Sequence, residues 1–250
     1  MTVYFIGGGP GDPELLTIRA KKAIEKADIV VYAGSLISPR LLEFSKPGAE
    51  LIDSSPLDLE GLQAVFRRAG RKGKDVARIH SGDLSLYSAA QEQMDWCQEN
   101  GVDFVAIPGV SSFSAACASL HQELTLPGVS QTVILTRLAG RTPVPPREDL
   151  AKLAGIGASM VIFLSVQRIE EVVGKLTEAY PLTTPVAVVE RASWPEETII
   201  RGNLEDIAGK VKRAKIRRTA LIIIGEVLNK KYRKSRLYAA EFEHAFRTRK

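Results

Sequence analysis

Short apolar runs alternate with amphipathic stretches along the first 120 residues. Valine, isoleucine and other apolar residues fill the short runs without polar alternation, which is typical of strands buried on both faces of a parallel sheet. The stretches between them carry apolar residues at helical spacing. The predicted strands are 3–6, 28–32, 51–52, 76–79 and 102–107. The predicted helices are 14–26, 58–71 with Asp58 as its N-cap, 89–100 and 111–120. Strands that alternate with helices predict an α/β domain.

A second α/β set follows a break in this pattern. Residues 121–131 contain Pro127-Gly128 and no clear period, so we interpret them as a linker. The second set has predicted strands at 132–136, 160–164, 186–190, 198–201 and 221–224, and predicted helices at 148–154, 169–179 and 204–212. The predicted organisation is an N-terminal domain (1–120), the linker, a C-terminal domain (132–232) and a basic amphipathic tail (233–250) packed on the second domain or on a partner subunit.

The composition narrows the class of protein. Of the 250 residues, 45% are hydrophobic and 25% are charged, which is typical of a globular chain. There is no run of about 18 or more apolar residues and the chain begins with a strand-like segment, so we expect no transmembrane span, no targeting peptide and a cytoplasmic location. Cys97 and Cys117 form no CxxC pair and the histidines are far apart. We therefore expect buried free thiols and no metal site.

The net charge of +5 is concentrated near the C-terminus. Residues 209–250 contain 14 Lys or Arg and three acids. Such a segment suits an anionic partner, whether RNA, a membrane surface or a polycarboxylate. A solvated helix face around residues 210–218 explains the same charge without a partner, so composition leaves both explanations open.

A glycine-rich loop, residues 7–13 (GGGPGDP), follows the first predicted strand. Without a Cβ, such a backbone can approach a ligand closely. The dinucleotide fingerprint fails because Asp12 stands where its third glycine belongs, and a P-loop is excluded because no GK[ST] occurs. Pro10 and Pro13 remove two N–H donors, which disfavours a pyrophosphate cradle. A site for another ligand and a tight turn with no ligand both stay open.

Two further loops carry polar residues after predicted strands. Residues 80–87 (HSGDLSLY) include Asp83, which could accept hydrogen bonds from a ribose hydroxyl or an amine, or could cap a helix. Residues 108–112 (PGVSS) end in two serines that could cap a helix or donate to a ligand. The carboxyl ends of parallel strands meet at one edge of the sheet. The three loops together therefore predict a ligand site lined by main chain.

Together these loops resemble the tetrapyrrole methyltransferase family, the uroporphyrinogen and precorrin methylases. The family pattern VGxGPGDPxLLT is matched by residues 5–17, the pattern GDPxxY by residues 82–87, and the pattern PGxSS by residues 108–112. The similarity continues through Leu126-Pro127 to residues 225–227. One departure is Leu84, where the family usually has proline. We expect this change to alter the rigidity of the loop without abolishing a main-chain contact.

Features of the second half are similar to the precorrin-4 and cobalt-precorrin-4 methylases, which act at carbon 11 of the macrocycle. These features are residues 132–137, 140–145 (GRTPVP), 163–165, 190–195 (ERASWP), 233–238 and 246–247. The sequence does not separate a cobalt-containing from a cobalt-free substrate. A sibling methylase that acts at another ring carbon stays the main alternative.

The resemblance implies methyl transfer from S-adenosylmethionine to a corrin-type tetrapyrrole, with S-adenosylhomocysteine as product. It also implies a homodimer whose subunits have two α/β domains, with the cofactor in the cleft between them. The implied cofactor contacts are Pro10, Gly82, Asp83, Leu84, Ser111 and Ser112 in the first domain, and Leu164, Ala187 and Ala220 in the second.

Chemical reasoning adds candidates to this set. A sulfonium methyl donor is already activated, so the enzyme must chiefly align the reactants. Asp83 is the candidate proton acceptor. Arg137, Arg141 and Arg191 are candidates for binding substrate carboxylates, because a guanidinium can hold a carboxylate bidentately; a surface ion pair is the alternative for each. Trp194 could stack on the macrocycle or simply pack in the protein.

Two functions of other classes also stay open. An RNA ribose methylase of the same fold would use the basic C-terminal segment. Against it, apolar residues interrupt that segment at Leu237, Tyr238, Phe242 and Phe246. A non-catalytic anion- or nucleotide-binding module would keep the glycines but would not require the motifs of the second domain.

Overall fold

A computed structural model describes residues 1–229 and residue 235 of the protein. The predicted tail, apart from residue 235, lies outside the described residues. The chain divides into two compact units. The first contains Met1–Ala116 together with Arg191–Glu197, and the second contains Cys117–Glu190 and the chain from Thr198 onward.

The first unit is built on a five-stranded sheet in which every strand pair is parallel, as predicted. Its strands are β1 (Thr2–Gly7), β2 (Ile29–Tyr32), β3 (Glu50–Asp53), β4 (Val76–His80) and β5 (Asp103–Ile107), in the order β3-β2-β4-β1-β5. The helices along this part of the chain are α1 (Ile18–Lys26), α2 (Pro39–Leu42), α3 (Leu59–Arg71), α4 (Gln91–Glu99) and α5 (Ser112–Leu120), with 3-10 turns at Pro13–Leu15 and Gly34–Leu36.

Each face of this sheet has its own apolar core, which explains the continuous apolar runs. Ile6, Val30 and Ile79 pack on one face with Ile24 of α1. The opposite face carries a second set of buried residues, among them Val3, Phe5, Ile29, Val31, Phe66 and Val76. Successive strand residues therefore enter opposite cores.

The first predicted helix, residues 14–26, is interrupted in the structure. Leu16 has an extended backbone, and α1 begins only after Thr17. The hydroxyl of Thr17 accepts a hydrogen bond from the amide of Ala20 at 3.2 Å. Such a cap favours a helix start at this position over a continuous helix. By contrast, Asp58 caps α3 as predicted, because its carboxylate accepts from the amide of Gly61 at 2.8 Å.

The second unit contains a mixed five-stranded sheet. Its strands are β6 (Val133–Arg137), β7 (Ser159–Phe163), β8 (Pro185–Glu190), β9 (Thr198–Asn203) and β10 (Ala220–Ile224), in the order β6-β7-β10-β8-β9. Only β6 and β7 are parallel; the other neighbours are antiparallel. The helices are α6 (Leu150–Ala154), α7 (Ile169–Leu176) and α8 (Ile207–Arg213), with 3-10 turns at Pro146–Glu148, Val166–Arg168 and Glu226–Asn229. Their buried side chains form one core with the sheet.

The three loops singled out in the sequence meet in the first unit, as predicted, because β4, β1 and β5 are neighbours in the sheet. The amide of Gly8 donates to the carbonyl of His80 at 2.7 Å. Gly9 and Gly82 exchange two backbone hydrogen bonds, of 3.1 and 2.8 Å. The first loop is thereby joined to the loop after β4.

The glycines at this edge allow the protein's own backbones to touch. A Cβ on Gly109 would lie 2.3 Å from the carbonyl oxygen of Gly82 and 2.5 Å from that of Gly7. A Cβ on Gly7 would lie 2.5 Å from the amide nitrogen of Gly109. Non-bonded atoms do not approach so closely, so these positions exclude any side chain. At Gly7 and Gly109, the lack of a side chain therefore allows neighbouring main chain to pack closely.

We expect Gly109→Ala to destabilise the first unit by about 1–3 kcal/mol, because the methyl group must push one of three hydrogen-bonded loops away. Urea unfolding followed by tryptophan fluorescence measures this change, since Trp96 and Trp194 both lie in the first unit. Gly70→Ala is the matched control, because Gly70 lies in α3 and its nearest neighbour is the flexible side chain of Met1 at 3.4 Å. Equal stability of the two variants would contradict the packing argument.

Candidate functional site

Asp83 joins the loop after β4 to the loop after β5. One carboxylate oxygen accepts from the amide of Gly109 at 2.8 Å, and the other accepts from the amide of Ser85 at 3.0 Å and from the hydroxyl of Ser85. Burial acts to raise the pKa of Asp83, but these hydrogen bonds outweigh it, so the pKa lies below the ordinary value. Asp83 is therefore an ionised residue that holds the two loops together.

The two serines after β5 lie beside this junction. Ser111 is buried, and its carbonyl accepts the amides of Ser114 and Ala115 at the start of α5. Ser112 is half-buried and is the first residue of that helix. The two serines therefore lie on a loop adjacent to the one that carries Gly82 and Asp83, at the same edge of the sheet.

The first glycine-rich loop is held by residues far away in the sequence. The indole Nε1 of Trp194 donates to the carbonyl of Pro10 at 2.7 Å. The amide of Asp12 donates to the hydroxyl oxygen of Ser193 at 3.0 Å. A Cβ on Gly11 would lie 2.0 Å from the Trp194 ring, so the indole occupies the space left by that glycine. Trp194 is therefore a packing residue of the first unit. Ser193 was included in the ERASWP feature, but that feature did not indicate its hydrogen bond to Asp12.

Arg191 belongs to the same segment as Trp194, residues Arg191–Glu197, which is part of the first unit. Its guanidinium lies over the Trp194 ring, 5.5 Å from the ring centroid, and 3.4 Å from the carboxylate of Glu196. Its backbone has a positive φ of 49°, which is uncommon for a residue other than glycine. These contacts give Arg191 an ion pair and a stacking partner within the protein.

In the second unit, two of the three implied cofactor contacts lie at one sheet edge. Leu164 directly follows β7, and Ala220 begins the antiparallel neighbour β10. Leu164 is 75% exposed and has a φ of 54°, so a large apolar side chain is held in solvent by a strained backbone. Ala187 differs, because it pairs with Ile223 inside the sheet and is fully buried. Its position does not support a direct contact with a ligand.

Arg137 is the last residue of β6 at that same edge, and Arg141 lies in the loop that follows. Arg137 ends β6 and donates to the carbonyls of Thr142 and Pro143, at 3.1 and 2.8 Å. Its guanidinium therefore holds the loop that follows. Arg168 also donates to this loop, at the carbonyl of Ala139. Arg141 is exposed within this loop.

Among the described residues, there is little support for reactive thiols, metal sites or membrane-spanning helices. Burial raises the pKa of the Cys97 and Cys117 thiols to about 11, so neither is a thiolate at neutral pH; Cys97 is buried as predicted and Cys117 only partly. Within residues 1–229 and 235, no group of three His, Cys, Asp or Glu could hold a metal ion. In the same part of the chain, no helix is long and apolar enough to cross a membrane.

Comparison with known proteins adds close relatives. The cobalt-precorrin-4 C(11)-methyltransferase of Methanocaldococcus jannaschii is 54% identical over 98% of this chain and 95% of its own length. The precorrin-4 C(11)-methyltransferase of Pseudomonas aeruginosa is 46% identical over 99% of both chains.

Two solved structures share the fold. The cobalt-precorrin-4 methyltransferase, described as a cobalamin biosynthetic enzyme, superposes with a TM-score of 0.89 at 42% identity, covering 91% of this chain and 95% of its own. The uroporphyrin-III C-methyltransferase of Thermus thermophilus in complex with S-adenosylhomocysteine has a TM-score of 0.78 at 29% identity, covering 92% of this chain and 99% of its own.

The family model of the tetrapyrrole (corrin/porphyrin) methylases matches residues 2–208. This match spans both sheets apart from β10 and includes all three glycine-containing loops. With the relatives and the shared fold, it shows that the chain belongs to the tetrapyrrole methylase family.

Proposed function

We propose that this protein transfers a methyl group from S-adenosylmethionine to carbon 11 of precorrin-4 or cobalt-precorrin-4, in cobalamin biosynthesis. The observation that carries the proposal is the 54% identity to a cobalt-precorrin-4 C(11)-methyltransferase over 98% of the chain. The relative at 46% identity is named for the cobalt-free substrate, so both forms stay within the proposal. A sibling methylase that acts at another ring carbon is the alternative.

The loops of the first unit suit the cofactor. In the proposed site, Pro10, Gly82, Asp83 and Leu84 contribute main chain, and the hydroxyls of Ser111 and Ser112 offer hydrogen bonds; these are the six first-domain positions of the family motifs. The related uroporphyrin-III methyltransferase in complex with S-adenosylhomocysteine supports a cofactor of this class. When bound, S-adenosylmethionine supplies a methyl group on a sulfonium centre, so no side chain has to act as a nucleophile.

The second unit contributes apolar contacts in this proposal. Leu164 offers an exposed side chain, and Ala220 lies beside it at the same sheet edge. Exposing a leucine forgoes burial worth roughly 1.5–3 kcal/mol, and an adenosyl group that covered it would recover part of this free energy. Ala187 would act by packing beneath this edge. The expectation that the cofactor lies between the two domains stays a prediction.

The chain's own residues chiefly position the reactants. Asp83 is ionised and its two oxygens already accept hydrogen bonds from Gly109 and Ser85. A carboxylate with a lowered pKa is a weak base, so a positioning role suits Asp83 better than proton transfer. Its role as proton acceptor stays a prediction.

The candidate arginines take different parts in substrate binding. Arg141 is exposed and is proposed to meet a substrate carboxylate. Arg137 is proposed to shape the loop that presents Arg141, because its guanidinium is bound to carbonyls of that loop. Arg191 already faces Glu196, so a substrate carboxylate would have to compete with that ion pair. A homodimer stays a prediction of the family resemblance, and a cytoplasmic location stays a prediction of the sequence composition.

We expect S-adenosylhomocysteine to bind the purified protein with a Kd in the micromolar range, and NAD to show no binding, in calorimetric titrations. With S-adenosylmethionine carrying a ¹³C-methyl group and precorrin-4 or its cobalt form, NMR of the product should then locate the label at carbon 11. A label at another ring carbon would select the sibling methylase, and absence of S-adenosylhomocysteine binding would contradict the cofactor assignment.

Leu164→Ala should weaken S-adenosylhomocysteine binding by about five- to tenfold, because it removes apolar area from the proposed contact. Thermal stability should change little, since the side chain is exposed. Leu182→Ala is the matched control, because Leu182 is also an exposed leucine of the second unit. An equal effect of the two substitutions on the Kd would contradict a contact between Leu164 and the cofactor.

Arg141→Ala should raise the KM for the tetrapyrrole by about tenfold, the effect of one lost charge-assisted hydrogen bond, while the Kd of S-adenosylhomocysteine stays near the wild-type value. Arg147→Ala is the control, because Arg147 is an exposed arginine in the 3-10 turn that follows the loop of Arg141. Steady-state kinetics with both variants measures the difference. Parallel losses of substrate and cofactor affinity would show that Arg141 acts on the fold instead.

A further inference from the structure

Strand β4 carries two buried polar side chains whose role the proposed function has not used. Arg78 is 5% exposed and His80 is 3% exposed. They stand two and four residues after Val76, so they enter the same core as Val76, Phe5 and Phe66. Burying a guanidinium and an imidazole in an apolar core costs free energy unless the contacts they make compensate for it.

His80 reaches the far end of the loop that follows its own strand. Its Nδ1 lies 3.0 Å from the carbonyl oxygen of Ser88. A carbonyl only accepts, so Nδ1 carries the hydrogen, and among the described residues Nε2 has no hydrogen-bond partner. Burial and the nearby charge of Arg78 lower the pKa of His80 to about 3, although the contact with Ser88 opposes this shift. The ring is therefore neutral across the physiological pH range.

Arg78 is linked to Ala89, the residue after Ser88 in the same loop, through the side-chain amide of Gln93. Its Nε donates to Oε1 of Gln93 at 3.1 Å, and Nε2 of Gln93 donates to the carbonyl of Ala89 at 2.8 Å. A second guanidinium nitrogen donates to the hydroxyl of Ser54 at 3.0 Å. Within residues 1–229 and 235, no carboxylate forms an ion pair with Arg78. Its hydrogen bonds therefore serve to orient neutral partners.

The loop segment held in this way is strained. Tyr87 and Ala89, on either side of Ser88, have φ angles of 54° and 52°. Left-handed backbone costs on the order of 1–3 kcal/mol at each such residue and persists only where the surroundings hold it. The hydroxyl of Ser88 also donates to the carbonyl of Leu84 at 2.6 Å. The strained turn is thereby joined directly to the motif that begins at Gly82.

We propose that Arg78 and His80 are positioning residues that hold residues 84–89 in their strained conformation, through Gln93 and the carbonyls of Ser88 and Ala89, and so fix Gly82–Leu84 for cofactor binding. The inference rests on the proposed function for the identity of the ligand. Stability alone would be served better by apolar residues in the core and glycine at the strained positions. The arrangement instead gives up stability to fix one loop geometry.

The network also replaces a residue that the family motif provides. The motif usually has proline at position 84, whereas this chain has Leu84 and lacks that rigid ring. A hydrogen bond from Ser88 to the Leu84 carbonyl, itself supported by His80, restrains the same backbone from outside. The loop can therefore keep a fixed shape without the proline.

The test compares His80→Leu with His80→Asn, whose side-chain amide can take the place of Nδ1–H. His80→Leu should raise amide hydrogen exchange across residues 84–90 and weaken S-adenosylhomocysteine binding, each by about tenfold, and His80→Asn should recover most of both. Gln93→Glu is a second variant, because it keeps an acceptor for Arg78 but loses the donor to Ala89. It should raise exchange around Ala89 in the same way.

Ile24→Ala is the matched control, because Ile24 is fully buried in the core on the opposite face of the sheet. It should lower thermal stability without a local change in exchange at residues 84–90 and without a change in the Kd. Equal effects of Ile24→Ala and His80→Leu would overturn the proposal, as would faster exchange in His80→Leu with an unchanged Kd. If the wild-type protein itself fails to bind S-adenosylhomocysteine, the proposed function fails, while the exchange data still decide whether the network holds the loop.

Discussion

Contact between the backbones at Gly7, Gly82 and Gly109 is the constraint on which the first unit's proposed site depends. Neighbouring carbonyls and amides occupy the places where Cβ atoms of Gly7 and Gly109 would lie, so β1, β4 and β5 can end side by side only without those side chains. Asp83 completes the junction with its hydrogen bond to Gly109. A shift in any one loop must displace the other two, which makes the edge suited to holding a ligand in one orientation.

The arginines show how positive charge is divided between building the protein and meeting a substrate. Arg78 is buried among neutral partners, Arg137 binds carbonyls of the following loop, and Arg191 pairs with Glu196 and Trp194. Arg141 differs from these because it is exposed. A sequence shows the residue type in all four cases, but the environment decides which guanidinium can bind a carboxylate.

Much of the fold could be predicted because local patterns determine it. Apolar runs indicated the strands, Asp58 indicated the start of α3, and the parallel first sheet followed from the alternation of strands and helices. The strand pairing of the second sheet was harder to predict, since an apolar run looks the same in parallel and antiparallel pairings. The sequence did not predict the break before Ile18, because Thr17 lies inside a helical pattern of apolar residues. The hydrogen bond from the amide of Ala20 to the hydroxyl of Thr17 shows that α1 starts there.

By itself, the sequence determined the α/β class, the three glycine-containing loops and the motifs of the tetrapyrrole methylases, because all of these are carried by neighbouring residues. The tertiary structure decided what those residues touch. It placed Trp194 against Pro10, 184 positions away along the chain, and bound the side chains of Arg137 and Asp83 to the backbones of loops. It also brought His80 to the carbonyl of Ser88. Contacts of this kind depend on how the chain closes in space, which no local pattern of residues specifies.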